Sequence, residues 1–220
     1  MRALGIPDFS QGGGFLTERW RKPLKPLAQW VPIDFLLAWI DVESNGKPDE
    51  VSNIGERGLF QVHPDERDFL HLTDDQFQSL TTDTNFALQV GVAQAIAYAI
   101  FAKRELSAVG SEWHGRDFWK LVKLHHGAFS VPKFMLLAFQ NTFGRGPTTW
   151  REFQAFAFDA ANRGVDVVPG DPTFSAKLRA LVPNTFNNAE KTGERSGIDE
   201  IKAPTIASVG ALLRSFGLMV

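Results

Sequence analysis

The sequence predicts a mainly α protein, and three observations carry that expectation. Apolar residues recur at helical spacing in successive segments, helix-start signals stand before several of them, and strand-like alternation is almost absent. Val165 to Val168 is the one brief strand candidate. No internal repeat is visible.

Taken in order, residues 1–30 read as an irregular N-terminal arm or linker. Gly12-Gly13-Gly14 is followed by Pro23 and Pro26 among basic residues. Pro32 suits the first turn of a helix, and Ile33, Leu36, Leu37, Ile40 and Ser44 follow at helical spacing. Residues 45–65, rich in Gly, Asn, Pro and Asp, read as an extended loop. Thr73 with Gln76 has capping-box spacing. Asp83 or Thr84 then opens a long segment in which Phe86, Val90, Ala93, Ala97, Ile100 and Phe101 keep roughly one face. Phe118, Leu121, Val122 and His125 mark a helix ended by Gly127. Ser130 and Pro132 start another that runs through Phe139. Thr149 with Glu152 is a second capping box, opening a helix with Phe153, Phe156, Ala157 and Ala160 that stops at Gly164. Residues 183–204 collect Pro, Asn, Gly, Glu and Lys and read as a flexible connection. Ile206, Val209, Leu212, Leu213 and Phe216 form a C-terminal amphipathic stretch, expected to dock on its own domain. The domain expectation is therefore an arm over 1–30, one folded domain over 31–182, and a connection with an amphipathic end over 183–220.

Composition narrows the chemistry more than the fold. A formal net charge of -2 argues against a broad nucleic-acid-binding surface, which is normally strongly basic. With no cysteine, disulfides, thiolate metal sites and a Cys nucleophile are excluded. His125 and His126 are adjacent rather than four apart, so they form no helical metal-ligand pair, and neither a metal nor another cofactor is expected. Gly12–Gly14 lacks the Lys-Ser/Thr of a phosphate loop. No stretch reads as the roughly 20 apolar residues of a membrane span. The nineteen Phe and six Trp are read chiefly as core, Trp113 and Trp119 included, with stacking against a sugar as the alternative for those two. Met1 to Asp8 lack the apolar region of a secretory signal; if they are the natural start, the protein is made in a cytoplasm.

Glu43 is the residue that chemistry singles out. It lies seven positions after Leu36 and three after Ile40, and so projects from the apolar stripe of the 32–44 helix. Desolvation there raises a carboxyl's pKa, which suits a general acid working near neutral pH. Spacing alone favours the plainer reading of Glu43 as a helix-end residue that caps the following loop. Asp41 points away and reads as a solvated surface charge.

The loop after Glu43 shifts that balance. Glu43-Ser44, Pro48, Val51-Ser52, Gly55 and Arg57-Gly58-Leu59-Phe60-Gln61 together resemble the signature of soluble lytic transglycosylases and goose-type lysozymes, whose Glu-Ser helix end precedes a Ser-x-x-Gly-x-x-Gly-Leu-(Met/Phe)-Gln loop in the same register. Gly91 fits the family's next helix. Of the family's Tyr-Asn-Ala-Gly motif only Gly127 agrees, in Leu124-His125-His126-Gly127, so the tyrosine hydroxyl that supports the acid is missing. The likeness covers residues 32–135. It implies a lysozyme-like fold with Glu43 as general acid and then base, and Ser52 and Gln61 hydrogen-bonded to substrate. His63 would stand where the family places a groove-lining methionine. His125 would either replace the tyrosine or sit as a satisfied core histidine. The implied reaction cleaves the β-1,4 bond between N-acetylmuramic acid and N-acetylglucosamine with one carboxylate, unlike the usual pair. The product is then an anhydro-sugar, or a reducing end if water is delivered instead. Asp49, Glu50 and Glu56 are the loop acids available as a second carboxylate.

The implied partner is the glycan strand of peptidoglycan, with virion or secretion-machine proteins as further partners and no nucleic acid. The substrate lies outside the cytoplasm and residues 1–8 read as no export signal, which a phage-encoded virion component or endolysin reconciles; a secreted effector or a fragment trimmed of its signal peptide is the alternative. The rival expectation is a lysozyme-like structural or binding module that has lost activity, favoured by Leu124.

Overall fold

The computed structural model describes residues 14–128, 130–163 and 172–196, and among these the regular structure is entirely helical. Two short helices, α1 (Gly14–Glu18) and α2 (Arg21–Leu24), lead into α3 (Ile33–Ser44). The short α4 (Glu66–Phe69) and α5 (Asp74–Ser79) precede the long α6 (Thr84–Ala108). After it come α7 (Gly115–Gly127), α8 (Val131–Phe143), α9 (Trp150–Arg163) and α10 (Pro172–Glu194). The mainly α expectation holds; the Val165–Val168 segment lies outside the described residues.

Local signals place several helix ends where the sequence predicts. Thr73 and Gln76 form the full reciprocal capping box, Thr73 Oγ1 accepting from Gln76 N and Gln76 Oε1 from Thr73 N. Asp83 caps α6 through Phe86 N. At α9 only half the expected box is made: Thr149 Oγ1 accepts from Glu152 N, while the Glu152 carboxylate turns to Arg145 and Thr148. Pro32 stands just before α3 in extended backbone, one place earlier than its predicted first turn.

Helix α6 departs from its one-face reading. Val90 and Ala93 are buried as predicted, but so are Leu88, Val92, Gln94, Ala95, Ile96 and Tyr98 on other faces. Its residues enter both hydrophobic core clusters, and a helix packed on several sides needs no continuous polar face. By length and composition it also suffices to cross a membrane, contrary to the reading that no stretch is apolar enough, although 67 % of its most apolar window is buried inside the fold. Gly91 on α6 lets the Phe60 ring close in, since a Cβ there would stand 2.0 Å from that ring.

Two segment expectations are corrected. Residues 14–30 are not a loose arm: Leu24 is fully buried, and both Arg19 and Trp20 donate to the Gly46 carbonyl just beyond α3. Residues 183–194 are not a flexible connection but the second half of α10, which packs along α7. Val182, Phe186 and Ala189 are buried at helical spacing, and that apolar face outweighs the break signal of Pro183. The amphipathic stretch from Ile206 to Phe216 lies outside the described residues. Trp113 and Trp119 are core, 5 % and 4 % exposed.

Candidate functional site

Helix α3 ends in a turn that sets the path of the glycine-bearing loop. Asn45 and Gly46 adopt left-handed backbone (φ 51° and 77°), with Asn45 N donating to Asp41 O and Gly46 N to Ile40 O. Ser44, 4 % exposed, places its hydroxyl between the carbonyls of Ile40 and Leu59, tying the helix end to the loop. The loop folds back on itself through Gly58 N to Glu50 O and a reciprocal pair between Arg57 and Val62. Gly58 has φ 73°, and a Cβ there would lie 2.5 Å from Leu80 O, so the family-like glycine meets a steric demand.

Glu43 sits on the last turn of α3 with its side chain 16 % exposed. It faces α7 rather than the loop. Lys123 Nζ lies 2.5 Å from Glu43 Oε1 as an ion pair, and His126 Nδ1 lies 3.5 Å from the same oxygen. Both partners have side chains only 3 % exposed. Trp39 floors the cluster, with Lys123 Nζ 4.8 Å from its ring centroid and the His126 ring edge-on at 4.9 Å. Lys123 Nζ also lies 3.0 Å from His126 Nδ1, while His126 Nε2 lies 3.1 Å from the Gln61 carbonyl. Since the ammonium only donates and the carbonyl only accepts, an imidazole with its proton on Nε2 satisfies both contacts. The three ammonium protons thus have three acceptors: a carboxylate, an imidazole lone pair and an indole face.

The charge state of Glu43 is therefore the reverse of the expectation from its helix face. Burial is the largest single effect and opposes ionisation, but the Lys123 ammonium and the His126 ring together outweigh it. The carboxyl is held well below its ordinary value of 4.5. The residue is placed as predicted; a raised pKa in the free protein is not found.

The other predicted site residues do not converge on Glu43 through their side chains. Ser52 spends its hydroxyl on Glu56 N, inside the loop. Gln61, 3 % exposed with φ 49°, donates its amide to the carbonyls of Gly58 and Glu50; only its backbone oxygen reaches the site, through His126. His63 lies at the start of α4, where its ring accepts from Asp65 N and its own N donates to Glu66. His125 points into the core rather than toward Glu43. It is buried, stacked on Tyr98 at 5.9 Å and paired with Glu105 at 3.2 Å, which makes it the core histidine of the two readings. Leu124 is fully buried in the core. Asp41 is not simply solvated, since Arg195 pairs with it at 3.1 Å. Glu50 pairs with Lys47 at the surface, 3.4 Å away.

Sequence reasoning missed Lys123 and His126. Lysine is rarely buried unless paired, so a lysine in a helix is read as solvated. A signal was present: Lys120, Lys123 and His126 recur every third residue among the apolar Phe118, Trp119, Leu121, Val122 and Leu124, and such a stripe needs anions opposite it. Lys120, 5 % exposed, meets Glu190 and Glu194 of α10 in the same manner. Behind Trp39 lies a second buried polar cluster, in which Glu66 accepts from Tyr98 Oη, Gln94 Nε2 and His63 N. Among the described residues, no group of three or more His, Asp or Glu side chains is arranged to hold a metal ion. No protein-family model, curated protein or solved structure matches the chain.

Proposed function

We propose that the chain is a peptidoglycan lytic transglycosylase of lysozyme-like fold, with Glu43 as the carboxyl that protonates the glycosidic oxygen and then takes a proton from the sugar's own 6-hydroxyl. The observation that carries this reading is the Glu43–Lys123–His126 cluster: a partly exposed carboxylate in contact with two side chains that bind and release protons. Its place at the end of α3, tied by Ser44 to the glycine-bearing loop, supports the resemblance in the 43–61 segment. The substrate is the glycan strand, cut between N-acetylmuramic acid and N-acetylglucosamine. The proposal extends to a phage-encoded protein that acts on the wall as part of a virion or after release.

One observation favours a second reading. Glu43 already has its charge satisfied by Lys123, and an ion pair of this kind also serves a lysozyme-like module that positions other proteins and cuts nothing. Digestion of purified peptidoglycan separates the two. Muropeptides lighter by one water than reducing-end products, released by the wild type and absent with Glu43→Gln, are the expected result. Reducing-end products would mean hydrolysis, and no release from walls of several bacteria would leave the module.

A further inference from the structure

We propose that Lys123 is the proton reservoir of this site: its ammonium passes a proton to Glu43 when bound glycan displaces water, and recovers it after the sugar ring closes. The inference rests on the transglycosylase function proposed for Glu43 and adds to it the source of the proton. Lys123 acts through Glu43 and does not touch the sugar, so it is a positioning residue rather than a catalytic one.

The difficulty it resolves is electrostatic. An acid catalyst must carry a proton when substrate arrives, yet Glu43 rests as a carboxylate beside a buried ammonium. The pair as a whole nevertheless holds one transferable proton, on Nζ and in contact with Oε1. In the free protein, the 16 % of the Glu43 side chain that meets water helps keep both charges. A glycan laid over that face removes the water. In low dielectric the charged pair loses solvation on both partners, and the neutral pair of carboxylic acid and amine becomes the favoured form. The geometry accommodates the neutral form without rearrangement. A neutral amine accepts from the new Glu43 hydroxyl and still donates to His126 Nδ1, whose other nitrogen is held by Gln61 O.

The step balances. The Nζ proton moves to Glu43 Oε1 and on to the glycosidic oxygen as the bond from the muramic C1 breaks, and the leaving sugar departs as its 4-hydroxyl. The 6-hydroxyl oxygen closes on C1, its proton goes to the Glu43 carboxylate, and Lys123 takes that proton back. No net proton is consumed.

Among the described residues, few other charges bear on the pair. His126 on α7 is its titratable neighbour, and the loop contributes the Gln61 carbonyl. On α6, Glu105 is engaged by His125; on α10, Glu190 and Glu194 face Lys120; beyond α10, Arg195 faces Asp41.

The test compares Lys123→Arg with Lys123→Met in the full chain, reading anhydro-muropeptide release from purified peptidoglycan across pH, with thermal unfolding as the check on folding. Arginine keeps the charge but does not give up a proton in proteins. Lys123→Arg is therefore expected to lose activity by on the order of 10²-fold or more at neutral pH, the scale of proton-transfer catalysis. In Lys123→Met, the burial of Glu43 is no longer offset by the ammonium, its carboxyl pKa rises, and that carboxyl becomes the acid. Activity then survives only toward acid pH, and the upper limb of the profile moves down. Wild-type rates in Lys123→Arg would reduce Lys123 to a charge anchor and overturn the proposal. If the arginine variant does not fold, an unshifted upper limb in Lys123→Met overturns it instead. A wild type no more active than Glu43→Gln removes the transglycosylase reading itself, and this proposal with it.

Discussion

Replacing Gly91 with alanine tests how the core positions the site. On an exposed helix the change would stabilise, because alanine is favoured over glycine by up to about 1 kcal/mol. Here the added Cβ would stand 2.0 Å from the Phe60 ring, where ordinary contact begins at 3.4 Å, so the ring must retreat by about 1.4 Å. It has no free space to do so: Phe60 is 1 % exposed and backed edge-on by Trp39 at 5.8 Å. Overpacking of a filled core costs roughly 1–3 kcal/mol, and this clash, with a rigid ring, belongs at the upper end. After the helix gain is subtracted, a net loss of about 2 kcal/mol remains, which for a domain of this size lowers Tm by roughly 4–8 °C. Phe60 also precedes Gln61, whose carbonyl holds His126, so the glycan cleavage proposed for this site should fall along with stability. The assay is thermal and urea unfolding of Gly91→Ala, of Phe60→Leu and of the double variant. The double variant should lose less than the sum of the two single losses. An unchanged or raised Tm in Gly91→Ala would refute the close packing of Phe60 on α6.

The ion pair and α10 supply two further predictions. Because the Glu43 carboxyl is depressed in the folded protein, its contribution to stability is present above its ordinary value of 4.5 and is lost as pH falls from there toward the folded value. Tm should therefore drop between about pH 5 and pH 3, and Glu43→Gln should show a shallower drop over that window; identical slopes would count against the pair. Phe186 is fully buried among Trp150, Phe153 and Phe158, so Phe186→Ala should cost about 3–5 kcal/mol in urea unfolding. A loss under about 1 kcal/mol would return α10 to the status of an appendage.

Local rules were legible in the chain because they act over a few residues. The Thr73–Gln76 box, the Asp83 cap and the α3 span with its glycine-bearing loop are each decided by neighbours within one or two turns. Glu43 was legible for the same reason, since its place at the end of an apolar stripe is a matter of spacing. The continuation of α10 through Pro183 was not. Its stability comes from burying Val182, Phe186 and Ala189 in a core built by distant helices, and composition reports only the break signal.

By itself, then, the sequence determined the helical class, the starts of α3, α5, α6, α8 and α9 and the carboxylate with its loop, because those depend on side chains close together in the chain. Only the tertiary structure decided the electrostatics. Lys123 lies 80 positions from Glu43, and nothing local distinguishes a solvated lysine from one whose ammonium is 3 % exposed against a carboxylate. The same packing sends His125 into the core and His126 to the site, although the two are adjacent in sequence. Successive residues on a helix point about 100° apart, and which direction holds the core and which the site is set by what α7 packs against.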